Sequence, residues 1–272
     1  MKQKTLHKEF TLSGVTLHKG LKTTVTLCPA KVNTGIRVRR IDLANEPEHE
    51  ALACYVSTTN RGTKLENGDW QVGTLEHMMA ALYAMGITNC LVKLDGPELP
   101  ILDGSAKPYI EAILRVGVDE QHAEAKTWVV TEPIHFEDGM SSITIEPCDH
   151  YEVEATVKYP CRAVGTQTAS LTDLNDFPSE FAQARTFCFL KEILPMLCVG
   201  LIKGGSLKNA LVLSSFGPLS ELRYPNEPAR HKLLDLIGDM ALAGVRIQGK
   251  ITAVCPGHKF NTNCCKNFKL KN

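Results

Sequence analysis

The feature that most constrains the fold is a run of helix, glycine, strand and turn that occurs twice in the chain. The first copy, "HMMAALYAMGITNCLVKLDGP", spans residues 77–97, and the second, "DLIGDMALAGVRIQGKITAVCPG", spans residues 235–257. In each copy a glycine (Gly86 or Gly244) follows the helical pattern, where a left-handed residue commonly ends a helix. The segments "TVTLCPA" and "SITIEPC" form a similar pair. The identity is low, and unrelated α+β elements in a similar order would give the same pattern.

A true repeat predicts an α+β fold of two similar domains, each a sheet with a helix pair, with the helices packed between the two outer sheets. We expect an N-terminal domain over residues 1–117 and a C-terminal domain over 128–272. Between them, "VDEQHAEAKT" (118–127) is polar and lacks periodicity, which is typical of a linker. Equivalent helix positions of the two domains could then meet at their interface, where binding clefts often form.

Apolar periodicity predicts helices in "TLEHMMAALYAMG", "KPYIEAILRVG", "SEFAQARTF" and "LKEILPMLCVGLI". The last segment is apolar almost all round. A buried helix would produce this pattern, and so would the wall of an acyl-chain groove.

Bulk properties exclude several classes of function. Lys+Arg and Asp+Glu are both 30, so no overall field favours nucleic acid or an anionic membrane. The N-terminus lacks the apolar region of a secretory signal, and no apolar run approaches the roughly 20 residues needed to span a bilayer. We therefore expect a cytoplasmic protein. Its ten cysteines contain no C-x-x-C pair, and those near strand-like segments are expected to be small buried residues: Cys28, Cys54, Cys90 and Cys148.

The segment "RHKLLDLIGD" (230–239) contains polar residues that recur every four positions. On a helix, His231, Asp235 and Asp239 form one stripe opposite an apolar face. A histidine and an aspartate four residues apart can bind a metal from one helical face, although a solvated surface shows the same spacing. A catalytic zinc needs three protein ligands and an open position, so a third ligand must come from elsewhere.

Glu76 and His77 lie in the first turn of the other repeated helix, and the repeat places His77 at the level of Asp235. In zinc hydrolases a glutamate next to a ligand acts as the base that activates water. A helix-dipole preference for Glu76, with an incidental histidine beside it, is the simpler alternative. If the domains meet as expected, His77, His231 and Asp235 form a site of two histidines and one carboxylate.

His258, in "VCPGHKF", is expected in a turn after a strand, where functional side chains concentrate but exposed histidines are also common. Asp239 could orient such a histidine and raise its pKa, so that it stays protonated at neutral pH. Amide hydrolysis needs a group of this kind, because an acid must stabilise the oxyanion and protonate the leaving amine.

These motifs together resemble a known family. "GVTLHKG", "TLEHMMAAL", "LPILDGSA", "ARTFCF", "GLIKGG", "RHKLLDLIGDMALAG" and "PGHKFN" occur in the order and spacing seen in the zinc-dependent UDP-3-O-acyl-N-acetylglucosamine deacetylases of Gram-negative bacteria. The resemblance extends from Thr5 to about Asn261 and is strongest to the Bacteroidetes-type branch, where this enzyme is often fused to a hydroxyacyl carrier-protein dehydratase.

The resemblance implies removal of the N-acetyl group from UDP-3-O-(3-hydroxyacyl)-N-acetylglucosamine during lipid A, and hence lipopolysaccharide, biosynthesis. It implies Zn²⁺ as cofactor and the nucleotide sugar as the small-molecule partner, and it indicates no protein partner. The residues that it assigns are as follows: ligands His77, His231 and Asp235; general base Glu76; protonated acid His258, oriented by Asp239; oxyanion hydroxyl Thr186; substrate contacts Lys232, Phe187 and Leu17.

The chain also departs from the family pattern. Its last residues, "NTNCCKNFKLKN", form a Lys/Asn-rich tail where relatives continue with another helix. We assign no dehydratase activity to this chain, and a bifunctional parent protein whose dehydratase domain is missing from this chain stays open. Two other functions stay open at this point. A zinc amidase with another acylated amine substrate would use the same residues. A nucleotide- or RNA-binding α+β module is disfavoured by the neutral charge.

Overall fold

A computed structural model describes residues 1–162 and 164–268. In the first part of the chain, alternating apolar and polar residues form strands that bury one face. These strands are β1 Lys2–Leu6, β2 Phe10–Val15, β3 Lys22–Pro29, β4 Ile36–Arg40, β5 Glu48–Glu50, β6 Val56–Thr58, β7 Lys64–Asn67, β8 Trp70–Gly73 and β9 Cys90–Leu94. Helices α1 Glu76–Ala84 and α2 Lys107–Val116 confirm the two helices predicted here.

The second part of the chain is also built from strands and helices. Its strands are β10 Val118–Glu124, β11 Thr127–Val129, β12 Ile134–Asp138, β13 Ser141–Glu146, β14 Tyr151–Lys158, β15 Thr166–Leu171, β16 Phe187–Phe189, β17 Leu211–Leu213 and β18 Arg246–Val254. Its helices are α3 Phe177–Glu180, α4 Leu190–Cys198, α5 Glu227–Met240 and α6 His258–Lys266.

The two large sheets have the same topology. One has the strand order β2-β3-β9-β4-β5 and the other the order β12-β13-β18-β14-β15, with β11 also paired to β18. In each sheet the central strand (β9 or β18) runs parallel to one neighbour and antiparallel to the other. "TVTLCPA" and "SITIEPC" fall in the equivalent strands β3 and β13. The internal repeat read from the sequence is therefore a repeat of structure.

The helices lie between these sheets, as the sequence predicts. Helix α1 packs against α5, while α2 accompanies α1 and α6 accompanies α5. Helix α2 contacts β2 of the first sheet, and α5 contacts β14 and β15 of the second. Gly86 and Gly244 have φ values of 72° and 70°, which confirms that both end their helices in the left-handed conformation.

Four local predictions differ from the structure. The segment 118–127 is not irregular: β10 pairs antiparallel with β1 in a mostly polar ribbon, which carries no one-sided apolar pattern. "SEFAQARTF" is not a helix, because α3 ends at Glu180 and the chain enters β16 at Phe187. The polar tail is helical as far as Lys266, and residues 269–272 of that tail lie outside the described part. Cys54 is exposed and Cys148 is half-buried.

The domain boundaries themselves stay a prediction. Within the described ranges, no helix is both long and apolar enough to cross a membrane.

Candidate metal centre

The polar stripe of α5 is buried. His231, Asp235 and Asp239 are 2%, 2% and 0% exposed. Helix α5 packs against α1 and α6 and also against strands β14 and β15. A solvated surface is therefore excluded, and these polar groups must find partners inside the protein.

Helix α1 brings Glu76 and His77 to this stripe through a close backbone contact. A Cβ atom added to Gly238 of α5 would lie 2.1 Å from the carbonyl oxygen of Glu76, so only glycine allows the two helices to approach this closely. Because His77 follows Glu76, its ring reaches Asp235, as the repeat predicts.

The ligand-type atoms of His77, His231 and Asp235 all lie within 4.8 Å of one another. Asp235 Oδ1 is 3.3 Å from His231 Nε2 and 3.8 Å from His77 Nε2. Two ligands of a tetrahedral zinc, each about 2.0–2.1 Å from the ion, are about 3.3–3.4 Å apart. The observed spacing is therefore that of a set of ligands around one small ion.

A buried polar atom without a partner supports the same interpretation. Asp235 Oδ1 has no hydrogen-bond partner anywhere in residues 1–162 and 164–268. Burial alone would raise the pKa of Asp235, but the charges of His231 and Lys232 hold it well below its usual range. Burial also lowers the pKa of His77 to about 3, so this imidazole is neutral, the form that binds metals. These residues fit a divalent ion.

Contacts behind the three side chains fix their orientation. His231 Nδ1 lies 3.0 Å from the carbonyl oxygen of Ala184, which directs Nε2 toward the centre. Lys232 Nζ donates to Asp235 Oδ2 at 2.8 Å and leaves Oδ1 free for an ion.

A histidine–aspartate pair lies beside the three side chains. His258, the first residue of α6, has Nδ1 at 2.9 Å from Asp239 Oδ2, which also accepts from Asn261 Nδ2 at 2.9 Å. Thr63 Oγ1 donates to Asp239 Oδ1 at 2.6 Å. Burial lowers the pKa of His258, but Asp239 and Asp235 outweigh it and raise this pKa to about 9. His258 is thus an imidazolium at neutral pH, as the sequence predicts.

The surroundings of the Glu76 carboxylate favour its protonated, neutral form, whereas those of His258 favour the charged form. Burial raises the pKa of Glu76 to about 7, and the negative charge of Asp235 adds to this effect. Glu76 Oε2 accepts a hydrogen bond from the Thr63 backbone N–H at 3.2 Å. A carboxylate and an imidazolium with pKa values displaced in this way are suited to act as base and acid at neutral pH.

These groups open into a cleft of about 930 Å³ between the two halves of the chain. Thr186, Phe187, Lys232 and Leu17 all line it, whereas Asp239 lies behind His258. Lys232 Nζ is 5.8 Å from the centre of the Phe187 ring. All ten site residues predicted from the sequence therefore lie in this cleft or directly behind it.

Helix α4 forms an apolar wall of the same cleft. Ile193, Met196 and Leu197 line it, followed by Leu201 and Ile202. The interpretation of this segment as a buried helix is wrong, since Met196 is the only residue of α4 that is buried. The acyl-chain groove agrees better with this position.

Several residues at the site were not found from the sequence. Thr63 and Asn261 both donate to Asp239. Thr63 lies in no pattern that marks it as functional, and Asn261 ends the "PGHKFN" block without an assigned role. His18 lines the cleft, and both of its ring nitrogens are buried without a partner in the described ranges. The sequence offers one signal for His18, its place in the "GVTLHKG" block.

Comparison with known proteins identifies the family. The model of the LpxC family, UDP-3-O-acyl N-acetylglycosamine deacetylase, matches residues 3–269. The chain belongs to this family. It is 43% identical to a UDP-3-O-acyl-N-acetylglucosamine deacetylase of Geobacter sp., over 95% of this chain and 86% of that protein.

Two further relatives are longer proteins. The bifunctional enzyme LpxC/FabZ of Bacteroides thetaiotaomicron is 43% identical over 99% of this chain, and that of Porphyromonas gingivalis is 41% identical over 97%. The chain spans 64% and 63% of their lengths, respectively. The resemblance read from the sequence is confirmed, including its Bacteroidetes-type branch.

Proposed function

We propose that this chain is an amide hydrolase that removes the N-acetyl group of a UDP-3-O-acyl-N-acetylglucosamine, releasing acetate and a free amine. The observation that carries the proposal is the buried, unpartnered Asp235 Oδ1 beside two histidine nitrogens, in a member of the deacetylase family. The names of the relatives supply the substrate class.

His77, His231 and Asp235 would hold Zn²⁺, since imidazole and carboxylate ligands in this number leave a coordination position open. Fe²⁺ also suits such ligands. When bound, the ion supplies Lewis-acid polarisation of the amide carbonyl and of the attacking water.

In this proposal Glu76 acts as the base. Its buried carboxylate, next to His77, accepts the proton of the attacking water, and a pKa near neutrality allows it both to accept and to release that proton. The hydrogen bond from the Thr63 N–H fixes one carboxylate oxygen and leaves the other available to the cleft.

His258 acts as the acid. Asp239 holds Nδ1, so that Nε2 is the group which can donate to the oxyanion and then protonate the leaving amine. The Thr186 hydroxyl lies in the same cleft and would donate to the oxyanion as well.

The remaining side chains would position the substrate. Lys232, beside the Phe187 ring, offers a positive charge to an oxygen-rich ligand, and Leu17 supplies an apolar contact. The apolar wall formed by α4 would take the 3-O-acyl chain. This reaction would place the chain in lipid A biosynthesis. The cytoplasmic location stays a prediction.

Acetate release from UDP-3-O-acyl-N-acetylglucosamine tests the proposal. We expect Glu76→Gln to retain its metal and to lose activity by a factor of about 10²–10⁴, the usual contribution of a general base. His135→Ala, at an exposed site on the outer sheet, is the matched control and should retain both. If metal-loaded wild type releases no acetate from this substrate but cleaves another acylated amine, the substrate assignment is wrong and the amidase alternative holds.

A further inference from the structure

A second group of metal-ligating side chains lies at the turn between β13 and β14. Cys148, His150 and Glu152 alternate along the chain, and each offers one ligand atom within 4.8 Å of the other two. Ser141, at the start of β13, lines the cleft, whereas this turn follows the other end of the strand. At about 3.4 Å per residue, β13 separates the two places by about 17 Å.

The side chains of Cys148 and His150 both approach the same carboxylate oxygen of Glu152. Glu152 Oε1 lies 3.0 Å from His150 Nε2 and 3.7 Å from Cys148 Sγ. Sγ is also 3.8 Å from His150 Nδ1. The other oxygen, Oε2, faces Lys250 Nζ at 3.8 Å. The carboxylate thus turns one oxygen to the lysine and the other to the thiol and the imidazole.

The backbone explains this convergence. Side chains alternate along β14, and Tyr151 and Val153 point into the core, so Glu152 points outward. The carbonyl oxygen of His150 accepts a hydrogen bond from Gly249 N at 3.0 Å, which ties the turn to β18. The His150 side chain is 58% exposed, so an ion can reach the group from solvent, and the ring can turn to present one nitrogen.

We propose that Cys148, His150 and Glu152 bind a second divalent ion, Zn²⁺ or one of similar softness such as Co²⁺. Thiolate and imidazole ligands favour these ions over Mg²⁺ and Ca²⁺. Three protein ligands leave solvent to complete a tetrahedral shell. Binding converts the Cys148 thiol to a thiolate and releases one proton to solvent. This set of ligands includes a thiolate, whereas the set of His77, His231 and Asp235 does not.

Titration of metal-depleted, full-length protein with Co²⁺ tests this proposal. We expect two Co²⁺ per chain, of which one produces a thiolate-to-cobalt charge-transfer absorption that a site of two histidines and one aspartate cannot give. Cys148→Ser should lose that absorption and bind one Co²⁺ per chain instead of two. The Co²⁺ that it still binds in the cleft also shows that the variant is folded. Cys54→Ser, at an exposed cysteine elsewhere, should behave as wild type.

Lys250→Met should strengthen, rather than weaken, the binding of the second Co²⁺. Removing the positive charge beside Glu152 should tighten binding of the second Co²⁺ by up to about fivefold. The proposal is overturned if wild type shows no thiolate absorption at saturating Co²⁺, or if the absorption persists in Cys148→Ser. Neither result depends on deacetylase activity. If the protein instead binds only the Co²⁺ that gives the thiolate absorption, the proposed metal site in the cleft is contradicted.

Discussion

The contact between Gly238 and Glu76 allows a sharp prediction for Gly238→Ala. The added Cβ would lie 2.1 Å from Glu76 O and 2.8 Å from its carbonyl carbon. Both are backbone atoms, so no side-chain rotation relieves the overlap. To restore an ordinary contact of 3.4 Å, α1 must withdraw from α5 by about 1.3 Å at this point.

This displacement acts directly on the proposed site. Glu76 and His77 move with α1, whereas Asp235 stays on α5, only one turn from the substituted residue. A misplacement of about 1 Å commonly costs about 100-fold in rate, so we expect kcat/KM to fall by about that factor. Metal affinity should fall with it, because one of the three proposed ligands is withdrawn.

Two opposing effects limit the change in global stability. Overpacking costs about 1–3 kcal/mol, while alanine regains about 0.5–1 kcal/mol of helix propensity over glycine. The free energy of unfolding should therefore drop by no more than about 2.5 kcal/mol.

Acetate release, metal competition against a chelator and urea unfolding measure the three quantities. Ile143→Val, in the fully buried core of the second sheet, is a control of similar energetic cost, about 0.5–1.5 kcal/mol, and should leave kcat/KM unchanged. If Gly238→Ala keeps wild-type metal affinity and loses less than about threefold in kcat/KM, the helix contact does not set the geometry of the site.

Three further outcomes follow from the charges. The pKa of Glu76 is raised to about 7 and that of His258 to about 9. As the pH rises, kcat/KM should therefore increase when Glu76 loses its proton and decrease when His258 loses its proton, with a maximum between the two pKa values. A bound dication favours the Glu76 carboxylate and so shifts the acidic limb of this profile to lower pH. Asp239→Asn removes the charge that raises the pKa of His258, so the basic limb should move to lower pH by about 1–3 units, and an unmoved limb contradicts the pairing. Arg185→Met leaves the Glu227 carboxylate, which is 0% exposed, without its positively charged partner. The substitution should lower the free energy of unfolding in urea by about 3–5 kcal/mol, whereas replacing both residues by methionine should recover most of that loss.

Much of the site could be predicted because several of its residues lie in short, recognisable sequence patterns. The i, i+4 spacing of His231 and Asp235 and the helix that carries His77 are visible in short segments. The repeat predicted that His77 lies near Asp235, although they are far apart in the sequence, since equivalent positions of two similar domains meet across their interface. The family blocks added the expected role of Thr186.

Other features depend on contacts that no local pattern reveals. Thr63 reaches Asp239 across 176 positions of sequence. Helix α6 consists largely of poor helix formers, and it is held by burying Asn261, Thr262 and its two cysteines rather than by intrinsic propensity. "SEFAQARTF" has helical spacing, but α3 ends at Glu180, and the Ala184 carbonyl oxygen lies 3.0 Å from His231 Nδ1 rather than in a helical turn. In each case tertiary contacts outweigh the local preference.

The metal content of Asp235→Ala tests the central claim most directly. It is best measured in the Cys148→Ser background, after equilibration with a chelator and beside Glu76→Gln in the same background. We predict one Zn²⁺ per chain for Glu76→Gln and none for Asp235→Ala. One Zn²⁺ per chain bound to Asp235→Ala with unchanged affinity would contradict the claim that His77, His231 and Asp235 together hold the catalytic ion.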